Sequence, residues 1–297
     1  MIKLNTSRIL VPFDFSLTSK KALKHAARLA QLCKGEVQLL YVRKPKSVVS
    51  LGLSTAELRQ MVSESGNYKR MMESTAKEIR EEYNIPVKVL VDMGRRISGI
   101  IRTCEKNQIG LIVMGTEGSE SVSNLFSGSN SHKVVSRSEI PVITVRSDSQ
   151  RDGYANILVP VDLSEHTRQK MIVAIQLAKA FNSKIHLVGL LTETDKSDEN
   201  KLGAILRQIE NRLKEEEIVY TSELIKTDSA ASRTLSLARR RKADIIVTMT
   251  DQGPSPSLLS PRSYDHELVE ESTIPVLSVP PEIHEENIQP ASLGGLW

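Results

Sequence analysis

The sequence is poor in cysteine, and its histidines do not cluster. The only cysteines, Cys33 and Cys104, lie far apart and have no CxxC spacing. Such a pair favours reduced thiols over a disulfide or a metal site. The six histidines are equally scattered, without an HExxH pattern. We therefore expect no metal site built from histidine or cysteine.

Long apolar runs and basic–aromatic runs are also missing. No apolar run approaches the roughly 18 residues that a membrane-spanning helix needs, and the first residues do not resemble a signal peptide. We therefore expect a cytoplasmic protein with no membrane contact. The basic run 239–242 closes a predicted helix, where cations favour the negative end of the helix dipole. Nucleic acid is not an expected partner, because no dense basic run is interleaved with aromatic residues.

Charge is divided unevenly between the two halves of the chain. Residues 1–150 contain 23 Lys and Arg against 14 Asp and Glu, whereas residues 151–297 contain 17 against 22. Two interpretations are open. Either the basic half attracts an anionic ligand, or the two halves complement each other across an internal interface.

The chain contains an internal repeat. The segment ILVPFDFS at 9–16 recurs as ILVPVDLS at 157–164, with six of eight positions identical. The segment IPVITV at 140–145 recurs as IPVLSV at 274–279. The offset falls from 148 to 134 residues, which places the missing stretch between the second and third predicted strands. A length of 297 residues also suggests two domains.

Each copy alternates short apolar runs with helical patterns, which predicts a parallel sheet covered by helices on both faces. In copy one we predict strands at 9–13, 37–42, 87–91, 111–114 and 142–145, and helices at 17–33, 55–83, 96–107 and 126–137. In copy two we predict strands at 157–161, 185–190, 219–224, 245–248 and 276–279. The predicted fold class is α/β, with two tandem doubly wound domains at 1–147 and 154–281, each a five-stranded parallel sheet, and a tail at 282–297.

The first predicted helix carries capping signals at both ends. We predict Ser16 as its N-cap and Gly35 as its C-cap. Asp14, just before this helix, has two interpretations. It either contacts a ligand or is merely an acid near a helix N-terminus, and its twin Asp162 shows that the acid can persist without a ligand loop.

A glycine pattern follows the fourth strand of copy one. Gly115 and Gly118 are followed, after nine residues, by Gly128 and Ser129. We expect Gly115 to turn the chain sharply off the strand and Gly118 to allow close backbone approach. Gly128 and Ser129 should lie near a helix start, where free N–H groups favour an anion. Because ligands of open α/β sheets bind beyond the carboxyl ends of the strands, Asp14 would share a cleft with this loop if the first and fourth strands are neighbours.

The segments ILVPFDFS, LLYV, LIVMGTEG, GSN and IPVITV together resemble the universal stress protein family in its tandem form, over about residues 7–145 and 155–280. Its ATP-binding members use a G-2x-G-9x-G-S/T motif, which copy one matches at every defined position. The resemblance implies a Rossmann-like, adenine nucleotide alpha hydrolase-like fold with strand order 3-2-1-4-5. It implies ATP (or AMP/ADP) as ligand, with Mg²⁺ expected beside a triphosphate. The nucleotide-binding residues that it implies are Pro12, Phe13, Asp14, Val42, Met114, Gly115, Gly118, Gly128, Ser129 and Asn130.

Copy two departs from that motif. At the offset of 134 residues, Met249, Gln252 and Arg262 replace the three glycines, and only Ser263 remains. Asp162 persists, and we expect its role to be structural because the phosphate loop is lost. One nucleotide site per chain is therefore expected, in copy one.

Three functional hypotheses follow. The leading one is a stress-response regulator that binds an adenine nucleotide and acts on an unidentified protein partner. The second is a weak ATP hydrolase, for which no catalytic residue is assigned, since Glu117, Glu120 and His132 form no recognisable arrangement and the Walker GxxxxGK[ST] motif is missing.

The third hypothesis is an interaction module without a nucleotide site. The last strand of each copy would then pair the two copies as an internal pseudo-dimer, or pair with a second chain in a homodimer. The tail at 282–297 also has two interpretations, disorder or docking through Trp297, the sole tryptophan.

Overall fold

The computed structural model describes residues 4–43, 55–116, 128–149, 153–164, 166–192, 196–250 and 263–281, with side chains within 55–65 and 128–130 outside the description. Copy one contains β1 (Arg8–Pro12), α1 (Leu17–Cys33), β2 (Glu36–Arg43), α2 (Thr55–Tyr83), β3 (Val87–Met93), α3 (Arg96–Asn107), β4 (Leu111–Thr116), α4 (Gly128–Val135) and β5 (Val142–Arg146). Copy two contains β6 (Asn156–Val161), α5 (Thr167–Phe181), β7 (Lys184–Leu191), α6 (Lys196–Glu215), β8 (Tyr220–Lys226), α7 (Ala230–Arg240), β9 (Ile245–Met249), α8 (Tyr264–Glu271) and β10 (Val276–Val279). Among the helices described, none is long and apolar enough to cross a membrane.

The two copies share one ten-stranded sheet. Its strand order is β3-β2-β1-β4-β5-β10-β9-β6-β7-β8. Every described pairing within a copy is parallel, and only the β5–β10 pairing between copies is antiparallel. The predicted α/β class, a mostly parallel sheet with helices on both faces, is confirmed.

Helices cover both faces of this sheet and form two cores. The core on one face contains buried residues of α1, α2, α5 and α6, and the core on the other face contains those of α3, α4, α7 and α8. The central strands are continuous apolar runs because both of their faces are covered. In β1, for example, Ile9, Leu10 and Val11 have no exposed surface.

The copies meet where β5 pairs with β10. Val142, Ile143 and Thr144 lie opposite Ser278, Leu277 and Val276, in that order. The Thr144 hydroxyl donates a further hydrogen bond to the Val276 carbonyl, at 3.3 Å. The structure therefore pairs the last strand of each copy with the other copy, which removes two exposed sheet edges.

The ends of α1 support one predicted cap and correct the other. Ser16 is the N-cap, and its side chain accepts a hydrogen bond from the Ser19 N–H. The predicted C-cap Gly35 is wrong, because Lys34 takes the left-handed conformation, with φ of 53°. Glycine is required at position 35 for steric reasons instead. A Cβ at this position would lie 2.0 Å from the carbonyl oxygen of Thr6.

Candidate functional site

The ladder between β1 and β4, which are neighbours in the sheet, ends before either strand does, and we call the space beyond its end the β1–β4 crevice. The strand β1 pairs with β2 along its whole length, but pairs with β4 only at Ile9 and Leu10. Alternate residues of a strand direct their backbone groups to opposite neighbours. The Phe13 N–H donates to the Leu40 carbonyl of β2, at 2.8 Å. The missing N–H of Pro12 therefore falls on the β4 side, where it ends the ladder.

Four predicted site residues meet at this crevice, three from the end of β1 and one from β2. Pro12 ends β1, and Phe13 and Asp14 follow it. Val42 is the second-last residue of β2. Residues 40 and 42 direct their backbone groups to the same side of β2. The backbone groups of Val42 therefore face the crevice, beyond the end of β1.

The Asp14 carboxylate is oriented by the chain that follows it. Its Oδ1 accepts hydrogen bonds from the Ser16 N–H at 3.1 Å and the Ser16 hydroxyl at 2.6 Å. Between these residues, Phe15 has a φ of 68°, a left-handed conformation that is costly for a bulky side chain. Leu163, its counterpart in copy two, has no positive φ. Strain of this kind concentrates at functional sites, and the sequence gives no signal for it.

Met114 and Gly115 approach the crevice from within β4. The prediction that Gly115 turns the chain off the strand is wrong, because it pairs with Val145 in regular parallel register. Its lack of a side chain serves a close contact. A Cβ there would lie 2.8 Å from the Thr18 Cβ and 2.9 Å from the Thr18 carbonyl carbon. Glycine at this position lets the first turn of α1 lie directly against β4.

The remaining predicted residues belong to the glycine loop. Gly118 lies outside the described residues. Gly128, Ser129 and Asn130 form the first turn of α4, which begins at Gly128. A helix start in this position agrees with the expectation for the end of the loop.

Two cationic side chains, one close to Asp14 and one close to Tyr41, were missed by sequence reasoning. Arg43 ends β2 and is 7% exposed. Arg96 begins α3, and its burial lowers the pKa of its guanidinium, while the Asp14 carboxylate and Tyr41 act in the opposite direction. Burial and a hydrogen bond with Tyr68 raise the pKa of Tyr41 to about 12. The Gly94-Arg95-Arg96 run after the third strand was the available signal for this positive charge.

The equivalent position in copy two contains an internal ion pair. Asp162 accepts hydrogen bonds from the Ser164 N–H at 3.1 Å and the Thr167 hydroxyl at 2.8 Å. Its Oδ1 lies 3.9 Å from the Nζ of Lys170, which is 2% exposed. At the 148-residue offset, copy one has Ala22 in place of this lysine.

The negative charge of Asp162 is therefore balanced by a cation of the same chain. Burial lowers the pKa of Lys170, and Asp162 opposes that shift. Burial also raises the pKa of Asp162, but Lys170 and the hydrogen bonds from Ser164 and Thr167 outweigh it, so the pKa lies below its ordinary value. The Asp162 carboxylate has a cationic partner without any ligand.

A parallel α/β sheet with a crevice where β1 and β4 separate defines a class of protein, that of nucleotide-binding-like α/β folds. The universal stress protein family model matches this chain twice, at residues 5–146 and 153–280. The chain belongs to the universal stress protein family, and its tandem organisation is confirmed by the two matches.

Similar proteins differ in how much of this chain they cover. Universal stress protein MJ0577 of Methanocaldococcus jannaschii is 31% identical over 153 residues, which cover 47% of this chain and 94% of that protein. A universal stress protein structure from Archaeoglobus fulgidus superposes with a TM-score of 0.73 at 19% identity, covering 93% of this chain and 99% of that one. A universal stress protein solved in complex with cAMP covers 43% of this chain and 97% of its own, at 22% identity and a TM-score of 0.37.

Proposed function

We propose that copy one binds ATP, or AMP or ADP, in the β1–β4 crevice, and that the chain acts as a stress-response regulator. On this proposal the nucleotide domain spans 1–147 and the second domain spans 154–281. The strand separation beyond Leu10 and the Ser16 hydrogen bonds that orient Asp14 both recur in copy two, at β6–β9 and at Asp162. The single observation that carries the proposal for copy one is therefore Gly115, which allows the start of α1 to lie against β4 beside Asp14, where copy two has Met249.

The adenosine half of the ligand fits the chemistry of this crevice. The adenine edge has both a hydrogen-bond donor and an acceptor, and the backbone N–H and carbonyl of Val42 face the opening. A carboxylate such as Asp14 accepts hydrogen bonds from ribose hydroxyl or adenine N–H groups. Pro12, Phe13 and Met114 line the same strand ends and would exclude water from the base.

The phosphate half would lie towards the start of α4. On our proposal Gly115 and Gly118 open the loop, and Gly128, Ser129 and Asn130 present helix N-terminal N–H groups to the phosphates. Mg²⁺ would accompany a triphosphate by binding its phosphate oxygens. Arg96 adds positive charge beside Asp14, and Arg43 adds positive charge beside Tyr41.

Copy two does not offer the same site. Lys170, Ser164 and Thr167 already act as partners of the Asp162 carboxylate, so it needs no hydrogen-bond donor from a ligand. Met249 replaces the glycine that lets α1 approach β4. We therefore propose one nucleotide per chain, with the role of copy two being to support or regulate copy one.

Calorimetric titration of the full chain with ATP and Mg²⁺ tests the proposal. We expect one site per chain in the wild type, and none in a Gly118→Arg/Gly128→Arg variant. Gln252→Arg places the same bulk at the equivalent point of copy two and should leave binding unchanged. With ATP at about 100 times Kd, binding should add about 2.7 kcal/mol to the free energy of unfolding.

Three other outcomes would correct the proposal. Two sites per chain would show that copy two binds by another route. No heat and no thermal shift at saturating ATP would leave an interaction module without a nucleotide site. Turnover of ATP far above the background rate, lost in the double glycine variant, would establish the hydrolase in its place.

A further inference from the structure

A groove of about 740 Å³ separates α5 from α6 on the outer surface of copy two. Its apolar lining comes from Leu163, Met171, Ile172, Ile175, Ile205 and Ile209. Arg168, Lys179, Arg212 and Glu216 also line it, giving three cations against one carboxylate. Glu216 pairs with both Lys179 and Arg212, whereas Arg168 lies outside these ion pairs, so the rim keeps a net positive charge. The groove therefore has an apolar floor and a net positive rim, which favours a segment that is both apolar and acidic.

In copy one, four aromatic rings pack together where α1 and α2 meet the ends of β1 and β2. Phe15 lies 5.0 Å from Phe13 and 6.0 Å from Tyr41 between ring centroids. Tyr41 stacks on Tyr68 of α2, with centroids 4.5 Å apart. These rings connect α1 and α2 to the end of the sheet.

Each of the four rings is replaced by a smaller residue in copy two. At the offsets of the repeat, Val161, Leu163, Gly189 and Leu202 replace Phe13, Phe15, Tyr41 and Tyr68. A Cβ at Gly189 would lie 2.9 Å from a methyl group of Leu206 on α6. The glycine therefore allows α6 to pack closely on β7, and of the four replaced positions Leu163 lines the groove.

The last residues of the chain have the composition that this groove favours. The tail segment, residues 282–297, contains three glutamates, no lysine or arginine, and five large apolar residues: Ile283, Ile288, Leu293, Leu296 and Trp297. We propose that the tail segment docks in the α5–α6 groove of its own chain. Its apolar side chains would contact the floor, and Glu282, Glu285 and Glu286 would contact the cations of the rim.

The connection allows this docking. The strands β10, β9 and β6 are parallel and adjacent, so β10 ends at the same edge of the sheet as β6. The groove reaches that edge, because its lining includes Leu163 of the β6–α5 loop and Thr167, the first residue of α5. Crossing from β10 to β6 spans two strand spacings, about 10 Å. Sixteen extended residues reach up to about 53 Å, which covers that crossing and the length of α5.

Tryptophan fluorescence of the full chain tests the proposal, because Trp297 is the sole tryptophan. In the wild type we expect emission shifted to the blue of a free tryptophan derivative and quenching by acrylamide reduced severalfold. Ile175→Glu places a charge in the partly exposed floor and should return both measurements to those of the free derivative. Leu32→Glu, at an apolar α1 residue that is 48% exposed, is the matched control and should change neither.

A charge exchange tests the same contact without altering the apolar floor. Arg168 is exposed, and Arg168→Glu should increase acrylamide quenching of Trp297. Adding Glu285→Lys and Glu286→Lys should restore the quenching of the wild type. Circular dichroism melts establish that each variant is folded. Wild-type emission equal to that of the free derivative, or emission unaffected by Ile175→Glu and Arg168→Glu in folded protein, would overturn the proposal. Emission that depends on protein concentration would also overturn it, because the occupant would then come from a second copy.

Discussion

His132 and His266 occupy the same position in the two copies, 134 residues apart, and their rings lie with centroids 4.0 Å apart. They belong to α4 and α8, which pack together on the face opposite α1 and α5. Each ring also faces an acid of α8. The Nε2 of His132 lies 3.9 Å from Asp265 Oδ2, and the Nε2 of His266 lies 3.0 Å from Glu270 Oε1. Among the described residues no group of acids, histidines and cysteines could hold a metal ion.

The contact between the two histidines should be measurable as a coupling energy between the copies. In a double-mutant cycle of His132→Ala and His266→Ala, we expect about 0.5–1.5 kcal/mol of coupling in the free energy of unfolding, because the rings pack directly. Urea unfolding of the four proteins measures it. The control combines His266→Ala with a substitution at His186, which lies on β7, three strands from β10 in the sheet. The changes in the free energy of unfolding of these two substitutions should be additive within about 0.5 kcal/mol.

An aspartate-to-asparagine substitution should affect ligand binding in copy one and stability in copy two. Asp14→Asn removes the charge that we propose contacts the nucleotide, and it should weaken ATP binding about 10–100-fold with little loss of stability. Asp162→Asn leaves the buried Lys170 without its anionic partner. Because the Asp162 side chain is 53% exposed and therefore screened, we expect a loss of about 1–2 kcal/mol of stability.

Paired calorimetry and urea unfolding of the two variants check this prediction. Unchanged ATP affinity in Asp14→Asn would remove that residue from the site. If Asp162→Asn is as stable as the wild type, the ion pair with Lys170 contributes nothing measurable.

Gly115→Ala should damage both the fold and the crevice. The added methyl group would lie 2.8 Å from the Thr18 Cβ, so α1 must move away from β4. We expect a loss of about 1–3 kcal/mol in stability, as for overpacked cores, together with weaker ATP binding. Gly153→Ala is the matched control, since a Cβ there meets nothing within 4 Å. Equal stability of the two variants would contradict the close approach of α1.

His186 should make stability depend on pH. Burial lowers the pKa of this imidazole, and Lys184 and Arg241 lower it further. Below about pH 6.5 the unfolded chain binds a proton that the folded chain does not, so stability is present above that pH and is lost as the pH falls. Urea unfolding at about pH 7.5 and about pH 5 measures the loss. His186→Gln should reduce it, and an identical pH dependence in that variant would refute the assignment.

Periodicity, turn residues and the internal repeat were sufficient to predict the strands, most of which are apolar runs, and the helices of copy one. The edge strand β8 is an exception, because Thr221, Ser222 and Glu223 interrupt its apolar pattern. The roles of Gly35 and Gly115 were not predictable, since both glycines serve contacts with segments distant in sequence, at Thr6 and Thr18. Local sequence indicates what a glycine permits, and only the packed structure indicates what it approaches. The resemblance to the family supplied the expected ligand residues. The structure places Asp14, Val42 and Gly115 at or near the carboxyl ends of neighbouring strands, at one edge of the sheet.

The ion pair in copy two was missed for a different reason. The repeat offset places Lys170 opposite Ala22, but an offset does not indicate that the lysine side chain is buried against Asp162. Burial depends on the packing of α5 on the sheet. The same holds for Phe15, whose positive φ no residue-type preference predicts.

The antiparallel β5–β10 seam has a genetic consequence. In a symmetric dimer of identical subunits, a substitution such as alanine to lysine at the position of Ala22 appears in both subunits at once, so every site changes together. When the two halves are joined in one chain, each half is encoded separately, and a change in one leaves the other intact. A fused pair can therefore lose ligand binding on one side and keep it on the other, whereas a dimer of identical chains cannot.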